Sequence, residues 1–416
     1  MSKAKTGRRK FLKYAGGAVV AAAIAAGGYG AYQYYYKPRA HEEEITIGVA
    51  ISLSGKNQQV CSHQVNGYNM WVDDVNAKGG IYVKELGKRL PVRLVVYDDE
   101  SDATKSVSLY ERLITEDKVD LILGPYSSTI TFGVSAVSEK YHMPVLCPTA
   151  NSDAVYERNF EYTFGVLPPA SEFSTPIVNF AKTKPELKTA CILTLHELLT
   201  LTVTQAAKDK FEAMGIEVKI FEEYPKEVRD LTPLLLKVKI ANPDVLLCGT
   251  FFEDGVILVR QLKEVGFTPK FFWTCIGSDT PEWADALGAS AEGVCGFLLF
   301  HETLPFPGIK EFATRYNEKF GKRSPVEGAS GYACGQLMEA AIDKAGTLDN
   351  EKIAEAMRTL KTNTTVGPFE FGKIGNLKYL NPLGSTYVGQ TQNKKLEIVL
   401  PESAATAPIW YPFGWK

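Results

Sequence analysis

Residues suited to metal binding or acid–base catalysis are scarce in this chain. Its five histidines, His41, His63, His142, His196 and His301, are scattered, which suits surface or hydrogen-bonded side chains better than a general base. "HELL", His196 to Leu199, begins like a metalloprotease helix, but Thr200 stands where the second metal-binding histidine would be. The seven cysteines (Cys61, Cys147, Cys191, Cys248, Cys275, Cys295 and Cys334) are odd in number, widely spaced and without a C-x-x-C pair. Neither a disulfide framework nor a zinc site fits that pattern, and a cysteine inside an apolar run such as "ACILTL" or "VLLCGT" acts as a small hydrophobe. There is no P-loop, no dinucleotide fingerprint and no G-x-S-x-G elbow. The expectation is a protein that is not an enzyme and needs no cofactor or metal, with a hydrolase as the weaker alternative.

Acidic residues are missing altogether from the start of the chain. Residues 1–40 hold eight Lys and Arg and no Asp or Glu, leaving 38 basic against 48 acidic residues in the remainder, a net of −10. A body of that sign argues against nucleic acid as a partner. "TGRRKFLK", Thr6 to Lys13, precedes an uncharged stretch rich in Ala, Gly and Val, and resembles the twin-arginine export signal of prokaryotes. The rest of the chain is therefore expected outside the cytoplasm, periplasmic or at the cell surface. Residues 14–36 are 23 uncharged residues, enough to span a bilayer, which needs about 20. Basic residues before them and "YQYYY" after them would suit a retained anchor, whereas "AIA" and "YGA" offer small residues for cleavage. Both outcomes stay open at this stage.

What remains is long enough for two domains. At 416 residues, 45% hydrophobic and 23% charged, the composition is that of a globular protein with real cores. "ITIGVAIS" (Ile45 to Ser52) is apolar on both faces, as a parallel strand covered on two sides must be. A helix follows with Val65, Tyr68, Val72 and Val75 on one stripe, and Gly79-Gly80 stops it. Strands "VRLVVYDD", "DLILG" and "PVLC" alternate with helices carrying Val107, Tyr110 and Ile114, then Val134, Val137 and Tyr141. After "VLPPASEFSTP" the pattern repeats, with strands "ACILTL", "VKIFEEY", "DVLLCG" and "KFFWT" and helices near 204–214, 231–240 and 255–265. This is an α/β chain of two doubly wound, Rossmann-like lobes. Past Val294 come helices around 309–320 and 331–345, a capped "DNEKIAEAMRTL" and short Gly-rich strands from Phe369. That tail reads as elements returned to both lobes, so that the chain crosses between them more than once. The expected division is residues 45–165 with 299–368 in one lobe, and 166–298 with 369–416 in the other.

"VDLILGPYSSTITFG", Val119 to Gly133, carries the clearest chemistry. An apolar strand ends at Gly124-Pro125 and is followed at once by Tyr126, Ser127, Ser128 and Thr129. In an open α/β sheet, ligands sit beyond the carboxyl ends of the strands, where helix N-termini offer free N–H groups and a positive dipole end. The next strand, "PVLCPTAN", delivers Thr149, Ala150 and Asn151 to the same edge. Residues of these types also cap helices. Two such turns side by side favour a site for a small carboxylate.

Across these segments the chain resembles the branched-chain amino acid type of periplasmic solute-binding protein (type 1), which feeds ABC importers. The resemblance rests on "IGVAISLSG", "NGYNMWVDDVNAKGGI", "VVYDDESDATKSV", "LITEDKVDLILGPYSS", "PVLCPTAN", "GYACGQLMEAAI" and "VGPFEFGKIGN", in family order from about residue 45 to 375. It implies two lobes joined by a three-crossover hinge that close on a ligand in the cleft between them, with permease and ATPase subunits as partners. By position it implies that Ser128 and the backbone of Thr149 to Asn151 hold the ligand's carboxylate, and that Val60 lines the pocket. In the second lobe the matching positions are Leu199, Thr250 with Phe251, and Ile276, so the acid that usually meets a ligand's ammonium is replaced by Ile276. The expectation is a carboxylate with an apolar or aromatic body, unless Glu197, Glu253 or Asp279 reaches in. A membrane-anchored receptor ectodomain is the alternative, although the few residues ahead of the uncharged stretch are too short to fold into a signalling module.

Overall fold

The computed structural model describes residues 43–415. The expected export segment, with its uncharged stretch at 14–36, lies outside the described residues. Among these, no helix is long and apolar enough to cross a membrane.

The first sheet has five parallel strands, β1 (Ile45–Ile51), β2 (Val92–Asp98), β3 (Leu121–Leu123), β4 (Val145–Cys147) and β5 (Thr163–Gly165), in the order β2-β1-β3-β4-β5. Helices α1 (Gln58–Ala77), α2 (Ala103–Thr115) and α3 (Ser128–Tyr141) follow β1, β2 and β3. All seven residues of β1 are buried, as its two apolar faces require. The stop after α1 is a backbone necessity: Gly79 and Gly80 have φ of +84° and +93°, and a Cβ on Gly80 would lie 2.0 Å from the Leu90 carbonyl oxygen.

Helix α4 (Thr175–Lys182) opens the second unit, whose parallel strands are β6 (Thr189–Leu195), β7 (Glu217–Tyr224), β8 (Val245–Gly249), β9 (Phe271–Thr274) and β10 (Cys295–Leu298). They run β7-β6-β8-β9-β10, the same winding as the first sheet, with helices α5 (Leu198–Ala213), α6 (Thr232–Ala241), α7 (Phe252–Val265) and α8 (Glu282–Leu287) between them. Antiparallel strands β11 (Tyr387–Gln392) and β12 (Lys395–Leu400) extend that sheet beyond β10. Helices α9 (Ile309–Phe320), α10 (Val326–Ala345) and α11 (Asn350–Arg358) return toward the first sheet. Among the described residues the chain thus passes between the two units after β5, after β10 and again before β11.

Three local readings differ from the sequence pattern. Strand β5 was not expected, because its three residues are too few to display a period. Helix α5 begins at Leu198 rather than near Thr204, and α10 at Val326 rather than Gly331: threonines and glycines are poor helix formers in isolation, but here tertiary contacts override propensity. The hand-over expected between residues 368 and 369 falls early. The hairpin of Gly372–Ile374 and Leu377–Leu380 still packs on the first unit, with Leu377 and Leu380 against Val155 and Tyr156, and Tyr379 beside Phe164.

Helix α10 lies against α1 at unusually short range. A Cβ on Gly67 would come 2.2 Å from the Gly328 carbonyl oxygen, one on Gly331 2.6 Å from the Gln64 oxygen, and one on Gly335 2.0 Å from the Trp71 ring. The bare glycine backbones let α10 press onto α1, and this fixes where the N-terminus of α10 stands. The Tyr332 hydroxyl donates to Asp74 of α1 at 2.6 Å, and Arg315 of α9 pairs with the same carboxylate. Forcing a methyl into that contact is expected to cost about 1–3 kcal/mol. Gly67→Ala should therefore lower the melting temperature measurably, whereas Gly414→Ala, whose Cβ would meet nothing within 4 Å, should leave it unchanged; equal melting of both variants would contradict this account.

Candidate functional site

The turn after β3 is shaped by what surrounds it. A Cβ on Gly124 would lie 2.7 Å from the Leu146 carbonyl oxygen, so only glycine lets β3 run out this close to β4. Gln64 and Tyr68, both on α1, donate to the Gly124 carbonyl at 3.2 and 2.9 Å and brace the turn from behind. Ser127 sits at φ +72°, and its Oγ caps α3 by accepting from the Ile130 amide at 3.3 Å. Ser128 is fully buried, and its Oγ accepts from the amides of Asn151 and Ser152 at 3.1 and 3.0 Å. The turns after β3 and β4 are therefore locked side by side. On the second turn, Thr149 donates to Gln64 at 3.1 Å and Asn151 donates to the Pro168 carbonyl at 2.8 Å.

Both turns open onto a cavity of about 320 Å³ between the two lobes. Of the residues expected at a site, Tyr126, Ser127, Thr149, Asn151, Leu199, Phe251 and Ile276 line it together. Four others do not. Ser128 stands behind the wall, holding the second turn. Ala150 is fully buried and offers its carbonyl to the Tyr156 hydroxyl at 2.6 Å. Thr250 is fully buried too, its hydroxyl 3.4 Å from the Ile276 carbonyl, where it backs the wall rather than forming it. Val60 lines a separate, outer chamber of about 610 Å³, which shares Phe251 with the inner one. The inner cavity is completed by residues that the sequence pattern did not single out: Leu167, Phe173, Phe297, Leu299, Val326 and Glu327.

The lining divides by lobe. The polar groups, Tyr126, Ser127, Thr149, Asn151 and Glu327, all come from the first unit and its returning helix α10. The second unit contributes Phe173, Leu199, Phe251, Ile276 and Phe297, all apolar. Ile276 does occupy the cavity wall, and none of the three acids expected to compensate for it lines the inner cavity. Glu197 is held across the lobes by Lys56 at 3.1 Å and the Thr129 hydroxyl, and within its own lobe by Lys226 at 2.5 Å. Burial raises its carboxyl, but Lys226 and Thr129 outweigh that and leave it below the usual range. Glu253 faces the outer chamber. Asp279 is buried, with Arg323 donating to its backbone carbonyl.

Glu327 is the acid that reaches the inner cavity. It is the second residue of α10, 2% exposed, and its Oε2 has no hydrogen-bond partner. Burial pushes its carboxyl well above the usual carboxylate range; Asp279 and Glu282 push the same way, and Arg323 opposes them. No group of His, Cys, Asp and Glu among the described residues is arranged to hold a metal ion. All seven cysteines are buried and unpaired, and His196 pairs with Glu223 on the surface.

The profile of the family described as periplasmic binding protein matches residues 44–378. A Leu/Ile/Val-binding protein homolog 7 of Brucella melitensis is 25% identical over 384 residues, covering 89% of this chain and 94% of the relative. Two solved structures share the fold. The branched-chain amino acid transporter substrate-binding protein LivJ of Streptococcus pneumoniae, in complex with isoleucine, has a TM-score of 0.75 at 21% identity, covering 86% of this chain and 100% of that one. A solute-binding protein of an ABC transporter from R. palustris, in complex with benzoate, has a TM-score of 0.74 at 18% identity, covering 88% and 97%.

The buried Glu327 has a consequence for stability. A carboxyl whose pKa rises on folding holds its proton more tightly in the folded chain, so its contribution is complete below the unfolded value of about 4.3 and is lost as pH rises toward the folded value. Glu327→Gln removes that loss, and the charged neighbours Asp279, Glu282 and Arg323 are the same in both proteins. Melting of the unliganded proteins should show the variant more stable than wild type at about pH 8, with the gap closed by about pH 4; a less stable variant at the higher pH would contradict the assignment.

Proposed function

Because the chain belongs to the periplasmic binding protein family, we propose that it captures a small carboxylate-bearing solute with an apolar or aromatic body between its lobes and passes it to the permease and ATPase of an ABC importer. It is a solute-binding protein of the Leu/Ile/Val type and not an enzyme. The observation that carries the finer reading is the pair of turns locked by Ser128, which present Ser127, Thr149 and Asn151 to a cavity whose second-lobe wall is apolar. The positive end of α3 and the hydroxyls suit an anion, and the phenyl and branched aliphatic groups suit a hydrocarbon body. The ligands named for the two solved relatives, isoleucine and benzoate, share a carboxylate and an apolar body and differ in the ammonium.

Calorimetry with aliphatic amino acids, aromatic amino acids and aromatic acids tests this reading. A charged hydrogen bond contributes about 1.5–3 kcal/mol, so Ser127→Ala, which removes a hydroxyl that accepts from Ile130 and keeps its own hydrogen to donate, should weaken the best ligand roughly 10-fold or more. Unchanged affinity in that variant would overturn the carboxylate assignment. Family membership sets the working place outside the cytoplasm, and we read the acid-free first 40 residues as the export signal. Arg8→Lys together with Arg9→Lys should leave the chain in the cytoplasmic fraction; normal export of that variant would rule out a twin-arginine route.

A further inference from the structure

We propose that the start of α5 is a clasp between the lobes: Glu197 and Leu198 of the second lobe are gripped by Lys56, Thr129 and Ser152 of the first, and this grip, made outside the inner cavity, sets how often the cleft opens. The clasp acts whatever the solute is, so it stands apart from the reading of the carboxylate end.

The Thr129 hydroxyl, on the second residue of α3, donates to the Glu197 carboxylate at 2.5 Å and accepts from the Leu198 amide at 3.4 Å. A first-lobe side chain thereby serves the N-terminus of a second-lobe helix. The helix has need of it, because Glu197 stands at the N-cap position of α5 and makes no capping bond of its own. Lys56 reaches the same carboxylate at 3.1 Å from the segment between β1 and α1. The Ser152 hydroxyl lies 2.7 Å from the Thr202 hydroxyl and 3.2 Å from the Leu198 carbonyl oxygen. Only Lys226, at 2.5 Å, holds Glu197 from within its own lobe. Glu197 is 7% exposed, so the bond from Thr129 to its charge is sheltered from water and is the strong member of the set. Lys56, with a side chain 40% exposed, is the weak one.

Sequence neighbours join the clasp to the cavity. Thr129 follows Ser127 by two residues, Glu197 precedes Leu199 by two, and Ser152 follows Asn151 directly. Ser127, Leu199 and Asn151 line the inner cavity, whereas Thr129, Glu197 and Ser152 do not. The turns that face the solute therefore also carry the contacts that shut the lobes over it, and a solute that seats Ser127 and Leu199 in place brings Thr129 and Glu197 together.

The test reads cleft opening without any solute. Ile276 lines the cavity and is 6% exposed, so Ile276→Cys sets a thiol inside the cleft, while all seven native cysteines are buried. Maleimide labelling beyond that of the parent chain then follows the open fraction. Adding Glu197→Gln or Thr129→Val should speed labelling of Ile276→Cys roughly 10-fold or more, and adding Lys56→Met about 1.5- to 5-fold. The native cysteines, followed in chains carrying the same clasp substitutions without Ile276→Cys, should react no faster, as they would if the fold itself were loosened. Leu299→Cys, at a second lining position that is 5% exposed, gives the same reading if Ile276→Cys folds poorly. Unchanged labelling of the cleft thiol with either Glu197→Gln or Thr129→Val, or an equal acceleration of the native cysteines, overturns the clasp.

Discussion

The Ser128 hydroxyl, out of contact with solvent, accepts from two consecutive amides, those of Asn151 and Ser152, and so fixes the end of β3 against the end of β4. Without that bond two buried N–H groups would lose their acceptor, a penalty of about 1–3 kcal/mol for each. The turns are also tied to α1, whose Gln64 reaches both the Gly124 carbonyl and the Thr149 hydroxyl. The two turns are therefore held by the protein's own hydrogen bonds, and the polar lining of the cavity belongs to the first lobe and its returning helix α10.

The division of the lining between the lobes gives closure a simple physical form. The first lobe offers hydroxyls, an amide side chain and an acid, and the second offers Leu199, Phe251, Ile276 and Phe297. On the proposed reading, a solute held by its charged groups on one lobe would leave its hydrocarbon part exposed until the other lobe covered it, and apolar burial would then favour the lobes coming together. Contacts at the rim add to this. Glu197 of the second lobe joins Lys56 and Thr129 of the first, and the Ser152 hydroxyl meets Thr202 at 2.7 Å and the Leu198 carbonyl at 3.2 Å. Glu197 thereby ties the second lobe to the first and does not line the inner cavity.

Much of this was legible in the chain. Apolar runs bounded by Gly and Ser marked the strands, and small hydroxyls at two neighbouring strand ends marked the turns that line the inner cavity, because those features are local. What escaped was set by tertiary contact. Ser128 looked like a ligand residue and is a brace, since hydroxyls serve both purposes and only the fold shows which amides they face. Glu327 passed unnoticed because "VEGASG" reads as a weak start to a helix, and nothing local reveals that glycines in α1 and α10 carry its carboxyl to the cavity. Phe297 and Leu299 lay in a strand and crossover whose apolar residues look like any core.

We infer that the first lobe alone meets the charge of the solute and the second its hydrocarbon. The most direct measurement is an experimental structure of the exported protein with the solute it carries at purification. The account predicts density in the inner cavity, with every polar atom of the solute within hydrogen-bonding reach of first-lobe groups around Ser127, Thr149 and Glu327, and carbon alone against Leu199, Phe251 and Ile276. A solute lodged in the outer chamber beside Val60, or one whose charged group is met by a second-lobe side chain, would contradict it.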